Sequence, residues 1–324
     1  MIKLNSYKPS NVKEHNLKLI RKIFLSRRTP YTKTELATIT GLSVVTINKL
    51  IKHMLNTNEV IELQNTVTTG GRKANIYKLN KEIKKVMILT ISEHLNSMFY
   101  TVAIGNLRRE IIFEKKIELL FTSVDAMMAE LSKVKDKYEP AILVVGIPGA
   151  EKSGEIKISD FKPLLNSYFS KNLQNKLSIP VFIENDCNAA TYGYVMDNKL
   201  GDEIVSGVYF PPNNPPGSSL IIQGVIYHGG NNLSGEIKYL PIQRQSDRNL
   251  EYYKSIFTTI MAMYDPNEII VFSKNIDKFH ESTTNVLELN DLYDRSIIKY
   301  STDFDKFHQR GLLEIALENL DDFV

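Results

Sequence analysis

Thr32-Lys-Thr-Glu-Leu-Ala-Thr-Ile-Thr-Gly-Leu-Ser-Val-Val-Thr-Ile-Asn-Lys-Leu-Ile-Lys52 decides the first part of the fold. Thr32 and Glu35 stand at the spacing of a capping box, a threonine N-cap with a glutamate that reaches back. The short helix they start, Glu35 to Thr40, ends at Gly41, where glycine supplies a positive φ. Leu42 plugs the core. Ser43 then caps a helix that runs to about Asn56, with Val44, Ile47, Leu50, Ile51 and Leu55 on its buried side and Thr46, Asn48, Lys49 and Lys52 outside. Upstream, Asn16 to Ser26 carries one apolar face, Leu17, Leu19, Ile20, Ile23, Phe24 and Leu25, and Pro30 stops that helix. Helix, glycine turn, helix is the arrangement that lays its second helix in the DNA major groove. Ser43, Val45, Thr46 and Asn48 are then placed at base edges, and Lys49 and Lys52 at phosphates. Downstream, strands Val60 to Leu63 and Asn75 to Leu79 flank Thr66-Val-Thr-Thr-Gly-Gly-Arg-Lys73, a hairpin wing whose glycine tip presents Arg72 and Lys73 to the backbone or minor groove. The alternative is a small three-helix unit that binds protein.

Charge separates the alternatives. Residues 1–85 hold 17 Lys+Arg against 5 Asp+Glu, whereas residues 86–324 hold 23 against 32. A basic module on an acidic body points to a polyanionic partner for the first part. The 324 residues are 43% hydrophobic and 24% charged, an ordinary soluble composition that excludes disordered, collagen-like and membrane classes. No apolar signal segment is visible in Met1 to Ser10, so the expected location is cytoplasmic. A lone Cys187 excludes a disulfide framework and a multi-cysteine zinc site.

After a polar link, Asn80 to Lys85, strands and helices alternate, which implies an α/β sheet. Strands are expected at 86–91, 99–104 and 110–119, a helix at 124–137 and a buried strand at 141–145. That strand runs into Gly146-Ile-Pro-Gly149, read as a sharp turn at a strand end, where α/β ligand sites lie. A helix over 164–177 leads to Val181-Phe-Ile-Glu-Asn-Asp-Cys-Asn-Ala-Ala190. Polar Glu184, Asn185, Asp186 and Asn188 cluster just past the buried strand, placed for ligand contact, with helix capping as the plainer role for Asn185 or Asp186. A hairpin around Gly224 leads to the glycine-bearing loop His228-Gly-Gly-Asn-Asn-Leu-Ser-Gly-Glu236.

In this order the motifs resemble the ROK family of repressors, open reading frames and kinases. The resemblance rests on the helix-turn-helix with Gly-Gly-Arg72, on Gly-Ile-Pro-Gly149, on Glu-Asn-Asp-Cys-Asn-Ala-Ala190 and on Gly224…Gly-Gly230…Ser-Gly-Glu236. It implies an α/β fold: an N-terminal winged helix-turn-helix, residues 1–80, before a two-lobed ribonuclease H-like body of the actin-like ATPase and sugar-kinase class, residues 86–324. The lobes are expected at about 86–184 and 185–285, with a C-terminal helix, 307–320, returning to the first. The chain departs from the kinases of the family. Leu89-Thr-Ile-Ser-Glu-His-Leu-Asn96 stands where they have a glycine-rich phosphate turn, which needs close backbone approach. Pro211-Pro-Asn-Asn-Pro-Pro-Gly217 replaces a second phosphate loop, and proline removes the N–H donors. Lys238-Tyr239 stands where a histidine ligand follows, and the cysteine-rich zinc loop is missing.

Asp186 matches the family's catalytic base, but a base next to a sugar hydroxyl needs a phosphoryl donor in line. No catalytic residue, metal or cofactor is therefore expected. Gly149, Asn185, Asp186 and Glu236 are expected to bind a sugar or sugar-phosphate effector, since amides and carboxylates pair with hydroxyls. The reading is a DNA-binding regulator of carbohydrate-related genes, a repressor by family resemblance, acting as a homodimer or homotetramer on a palindromic site in double-stranded DNA. The rivals are a ROK sugar kinase fused to a DNA-binding domain and a dimeric DNA-binding scaffold without effector.

Overall fold

The computed structural model describes residues 9–26, 29–69, 72–94, 97–118, 124–212, 214–241, 250–276 and 297–320. Helix α1 (Pro9–Ser26) begins earlier than its apolar face implies. In α2 (Lys33–Thr40) both halves of the capping box form: the Thr32 hydroxyl accepts from the Glu35 N–H at 3.2 Å, and Glu35 Oε2 accepts from the Thr32 N–H at 2.7 Å. Gly41 closes α2 at φ +71°. In α3 (Val44–Asn56) the Ser43 hydroxyl accepts from the Thr46 N–H at 3.1 Å. A sheet in the order β1-β3-β2 completes the winged helix, with β1 (Tyr31–Thr32), β2 (Val60–Thr69) and β3 (Arg72–Leu79). The wing strands are longer than read from sequence, and β1 carried no apolar run to reveal it. The glycine tip, 70–71, lies outside the described residues.

Leu17, Ile20, Phe24, Leu36, Ile47, Leu50, Ile51 and Met54 fill the core of this module. Val44, expected inside, is 46% exposed because nothing covers the first turn of α3 on that side, and Met54 joins the core instead. Arg21 on α1 reaches both Glu59 oxygens, with Nε at 2.8 Å and Nη2 at 3.2 Å. Burial pushes the Glu59 carboxyl up, but the guanidinium and the Thr57 hydroxyl hold it below its ordinary value.

The body is built from two five-stranded sheets with one strand order. The first lobe contains β4 (Lys85–His94), β5 (Ser97–Asn106), β6 (Ile111–Glu118), β7 (Leu143–Ile147) and β10 (Val181–Asn185), ordered β6-β5-β4-β7-β10. The second contains β11 (Ile204–Tyr209), β12 (Gly217–Ile222), β13 (Val225–Ile226), β14 (Glu268–Phe272) and β15 (Ile298–Ser301), ordered β13-β12-β11-β14-β15. In each, three antiparallel strands precede two that run parallel to the first. Helices α4 (Val124–Tyr138), α5 (Phe169–Leu177) and α7 (Leu250–Tyr264) cross over. The first lobe also carries a hairpin, β8 (Gly149–Lys152) with β9 (Glu155–Ser159), which the sequence did not reveal. The proposed end of the second lobe near Asn285 and the charged stretch after Pro241 lie outside the described residues.

The helices that follow each lobe's last strand change places. Helix α6 (Asp186–Asn198) leaves β10 but packs on β11 and β12, and α8 (Phe304–Glu318) leaves β15 but packs on β4 and β7. They cross with backbones touching: a Cβ on Gly193 would lie 2.1 Å from the Phe307 carbonyl oxygen, and one on Gly311 1.8 Å from that of Ala189. Gly146 is not a turn as expected. It pairs inside β7, and the buried His308 ring occupies the place of its Cβ. The helix expected over 164–177 is broken: a 3-10 turn, Lys162–Leu164, precedes α5, and Asn166 between them sits at φ +58°.

The start of segment 80–85 is tied both to the winged helix and to the body. Asn80 N–H donates to the Glu59 carbonyl at 2.9 Å, and the Lys81 amine pairs with Glu110 at 2.7 Å. Arg109, in the β5–β6 turn, donates through Nη1 to the Leu25 carbonyl at the end of α1, 2.9 Å, and through Nε to Glu314 of α8. Glu314 is 1% exposed and also meets Arg310 Nη2 at 2.7 Å, while Arg310 Nε pairs with Asp197 of α6 at 2.7 Å.

Candidate functional site

Two surfaces emerge from this frame. On α3 the turn that buries Ile47, Leu50, Ile51 and Met54 leaves the opposite face outward. Val45 is 65% exposed, and Asn48, Lys49 and Lys52 are exposed beside it. The Ser43 hydroxyl caps α3 and sits 2.9 Å from the Thr46 hydroxyl, so these two serve the helix end as well as the outer face. Val44 extends the exposed apolar start of the helix, a feature that its spacing hid. An apolar pair there suits contact with thymine methyl groups. Arg72 and Lys73 open β3 opposite Thr69 and Thr68, next to the tip.

The second surface is a cavity of about 80 Å³ where the lobes meet, bordered by Gly149, Asn185, Asp186 and Glu236. These four come from β8, the end of β10, the start of α6 and the loop after β13. Asp160, which the sequence did not single out, also borders the cavity, as does Lys238, which pairs with Glu236 at 3.0 Å. The Tyr209 and Phe304 rings stack at 3.6 Å and form an apolar wall. Pro211, Pro215 and Pro216 also border the cavity and bring no backbone N–H donor to it. The segment 89–94 is likewise strand: β4 continues to His94, paired with Ser97.

Asn185 does structural work. Its Oδ1 accepts from the Asn188 N–H at 3.0 Å and so caps α6, and its Nδ2 donates to the Gly149 carbonyl at 3.0 Å. One amide hydrogen remains for a ligand. Asp186 is partly open to the cavity. Burial, with the nearby Asp160 and Glu236 charges, pushes its carboxyl up to about 8, although the Cys187 N–H bond at 2.8 Å opposes this. At neutral pH it therefore carries a proton and offers both a donor and an acceptor. Glu236 supplies a second acidic group across the cavity. The Cys187 thiol is buried and pushed up to about 12, which makes it unreactive. Among the described residues no cluster of three or more His, Cys, Asp or Glu is arranged to hold a metal ion, and no helix is long and apolar enough to cross a membrane.

Known proteins resemble the chain in the same terms. No family model matches it. A putative xylose repressor of Caldicellulosiruptor sp. (strain Rt8B.4) is 23% identical over 248 residues, covering 73% of this chain and 61% of the relative. The chain thus matches less than two thirds of that relative's length. A crystal structure of a ROK family transcriptional regulator, described as a homologue of the E. coli Mlc protein, superimposes with a TM-score of 0.69 at 13% identity, covering 96% of this chain and 98% of that one. A ROK family glucokinase from Streptomyces griseus, in complex with glucose and AMPPNP, gives a TM-score of 0.59 at 12% identity, covering 72% of this chain and 100% of that one.

Proposed function

For a chain with the winged helix and two-lobed fold of the ROK regulators and kinases, we propose the role of a sugar-responsive transcriptional repressor. The winged helix, residues 1–80, binds double-stranded DNA through Ser43, Val45, Thr46, Asn48, Lys49, Lys52, Arg72 and Lys73. The cavity bordered by Gly149, Asn185, Asp186 and Glu236 takes the effector, an aldose such as the xylose in the name of the similar repressor. The observation that supports this reading is the combination in one cavity: Asp186 and Glu236, acids suited to pair with hydroxyls, border it together with Pro211, Pro215 and Pro216, which offer no backbone N–H to a phosphate. The body does not phosphorylate sugar, and it pairs two copies so that two winged helices meet half-sites about one duplex turn, ~34 Å, apart.

Fluorescence anisotropy with duplex DNA from upstream of the protein's own gene tests this. Affinity falls steeply with salt, and Lys49→Ala with Lys52→Ala flattens that slope by about one unit for each phosphate no longer neutralised. Asn48→Ala changes base preference instead, costing about 1–3 kcal/mol at one position. D-xylose weakens the complex, and a coupled assay with ATP and aldoses shows no turnover. Salt-independent binding, or ATP turnover, overturns the reading.

A further inference from the structure

The loop 228–236 leaves the edge of the second lobe's sheet and returns carrying Glu236. Along the way it reaches the first lobe with two side chains. His228 Nε2 lies 2.8 Å from Glu184 Oε2, and Asn232 Nδ2 donates to the Glu151 carbonyl at 2.7 Å. The far end of the loop is fixed to its own lobe: the Ser218 N–H donates to the Gly235 carbonyl at 2.9 Å, and a Cβ on Gly235 would meet the Ser218 oxygen at 1.8 Å. Glu184 is only 8% exposed, and its other oxygen accepts from the Asn185 N–H and from Asn188 Nδ2, both at 2.9 Å. One buried carboxylate thus holds the imidazole on one side and the turn that starts α6 on the other.

We propose that His228 is a positioning residue for the cavity: it orients Glu184 and the Asn185–Asn188 turn, and it pins the Glu236 loop across the gap between the lobes. This rests on the reading of the cavity as the effector site. The hydrogen bond to Glu184 raises the imidazole above its ordinary value of 6.5, against the effect of burial. Glu184 is the charged group that faces the ring from β10. Glu151 on β8 gives the loop its carbonyl while its carboxylate accepts from the Ser170 hydroxyl, and Glu236 pairs with Lys238 farther along the chain. A group raised in the folded state contributes fully below its unfolded value and loses that contribution as pH rises through its folded value. The latch is therefore an ion pair in mild acid, and above the raised value it weakens to a neutral hydrogen bond.

Hydrogen exchange over 228–236 in the full chain tests this at about pH 6 and about pH 8, on either side of the ordinary imidazole value. Wild type is compared with His228→Ala, and with His228→Gln, which keeps a donor but cannot titrate. Each comparison is made at one pH, so intrinsic exchange rates cancel. At about pH 6 the wild-type loop exchanges about tenfold more slowly than the alanine variant, the scale of one charge-assisted hydrogen bond. The advantage shrinks at about pH 8, and the glutamine variant shows a smaller advantage that is the same at both. Equal exchange in wild type and His228→Ala at the lower pH, or a wild-type advantage that does not change with pH, overturns the proposal. Calorimetry with D-xylose as the probe then separates the latch from the ligand reading. Several-fold weaker binding to His228→Ala, with partial rescue by glutamine, supports positioning. Equal affinity despite a loosened loop overturns it. If the loop behaves as expected but D-xylose does not bind wild type, the latch stands and the sugar reading of the cavity fails.

Discussion

The lobes meet in two places that differ in kind. At the α6–α8 crossing, backbone rests on backbone at Gly193 and Gly311, with no side chain between. At the 228–236 loop they meet through single hydrogen bonds, His228 to Glu184 and Asn232 to Glu151. Close-packed backbone has no room to slide by fractions of an ångström, whereas a hydrogen bond between side chains can break and re-form. The crossing is built as a fulcrum and the loop contact as a joint. Under the proposed function, an effector in the cavity would act on the lobe angle, and the crossing helices would carry the angle outward.

The largest expected effect breaks the fulcrum. Gly193→Ala or Gly311→Ala places a methyl carbon within 2.1 Å of a carbonyl oxygen on the other helix. A backbone cannot rotate away as a flexible side chain can. Each change should cost about 3 kcal/mol in urea unfolding, the upper end of overpacking. An alanine at the loop glycine Gly230, where nothing lies within 4 Å, is the control and should cost little. Equal loss at Gly193 and Gly230 would show that the helices do not bear on each other.

The next effect concerns how the body's angle reaches the winged helix. Glu314 holds Arg109 and Arg310, Arg310 holds Asp197 at the far end of α6, and Arg109 holds the last carbonyls of α1. The helix that starts at Asp186 is thus joined to the winged helix by a chain of polar contacts. Glu314→Gln keeps the shape and removes the charge from between two guanidinium groups. It should cost about 2 kcal/mol, since both arginines keep some contact with water. It should also split a single thermal unfolding transition in two, as the winged helix loses its tie to the body. One cooperative transition in the variant would show that segment 80–85 and the shared apolar cluster suffice.

How much of this the sequence carried depends on the distance over which each signal acts. The winged helix was legible because capping is local: Thr32, Glu35, Gly41 and Ser43 meet partners within four residues. The strand–acid–amide run 181–190 was legible for the same reason. The β8–β9 hairpin was not, although its strands are neighbours in the chain, because Gly149–Lys152 carries no alternating apolar run; the exchange of α6 and α8 and the role of Arg109 were not, since their partners lie far along the chain, with Arg109 and Glu314 205 residues apart. Gly146 and Gly193 look alike as letters, yet one makes room for an imidazole and the other for a helix backbone. Val44 had the right spacing for the core but lies in a first turn that nothing covers. In the cavity the sequence supplied Gly149, Asn185, Asp186 and Glu236, but Asp160, and the contact of His228 with Glu184 beside it, needed three dimensions.

The smallest effect sharpens the contrast from the cavity side. The Asp186 carboxyl is raised to about 8 in the folded chain, while in the unfolded chain it ionises near 3.8. Between those values the folded state holds a proton that the unfolded state has lost, so stability falls as pH rises from about 4 to about 8. Asp186→Asn removes the titration and keeps the shape. The stability difference between wild type and the asparagine variant should therefore shift in the variant's favour across that window. Water in the cavity screens part of the cost, so the shift is about 1 kcal/mol rather than the several that the raised value alone would give. Effector-free DNA binding should be nearly unchanged, because Asp186 lies at the opposite end of α6 from the Asp197–Arg310 pair. Asp186→Ala should abolish the response to D-xylose, since it loses the donor and the acceptor together. If the asparagine variant tracks wild type at every pH, Asp186 is ionised in the folded protein. The carboxylate would then accept hydrogen bonds from a ligand's hydroxyls but donate none.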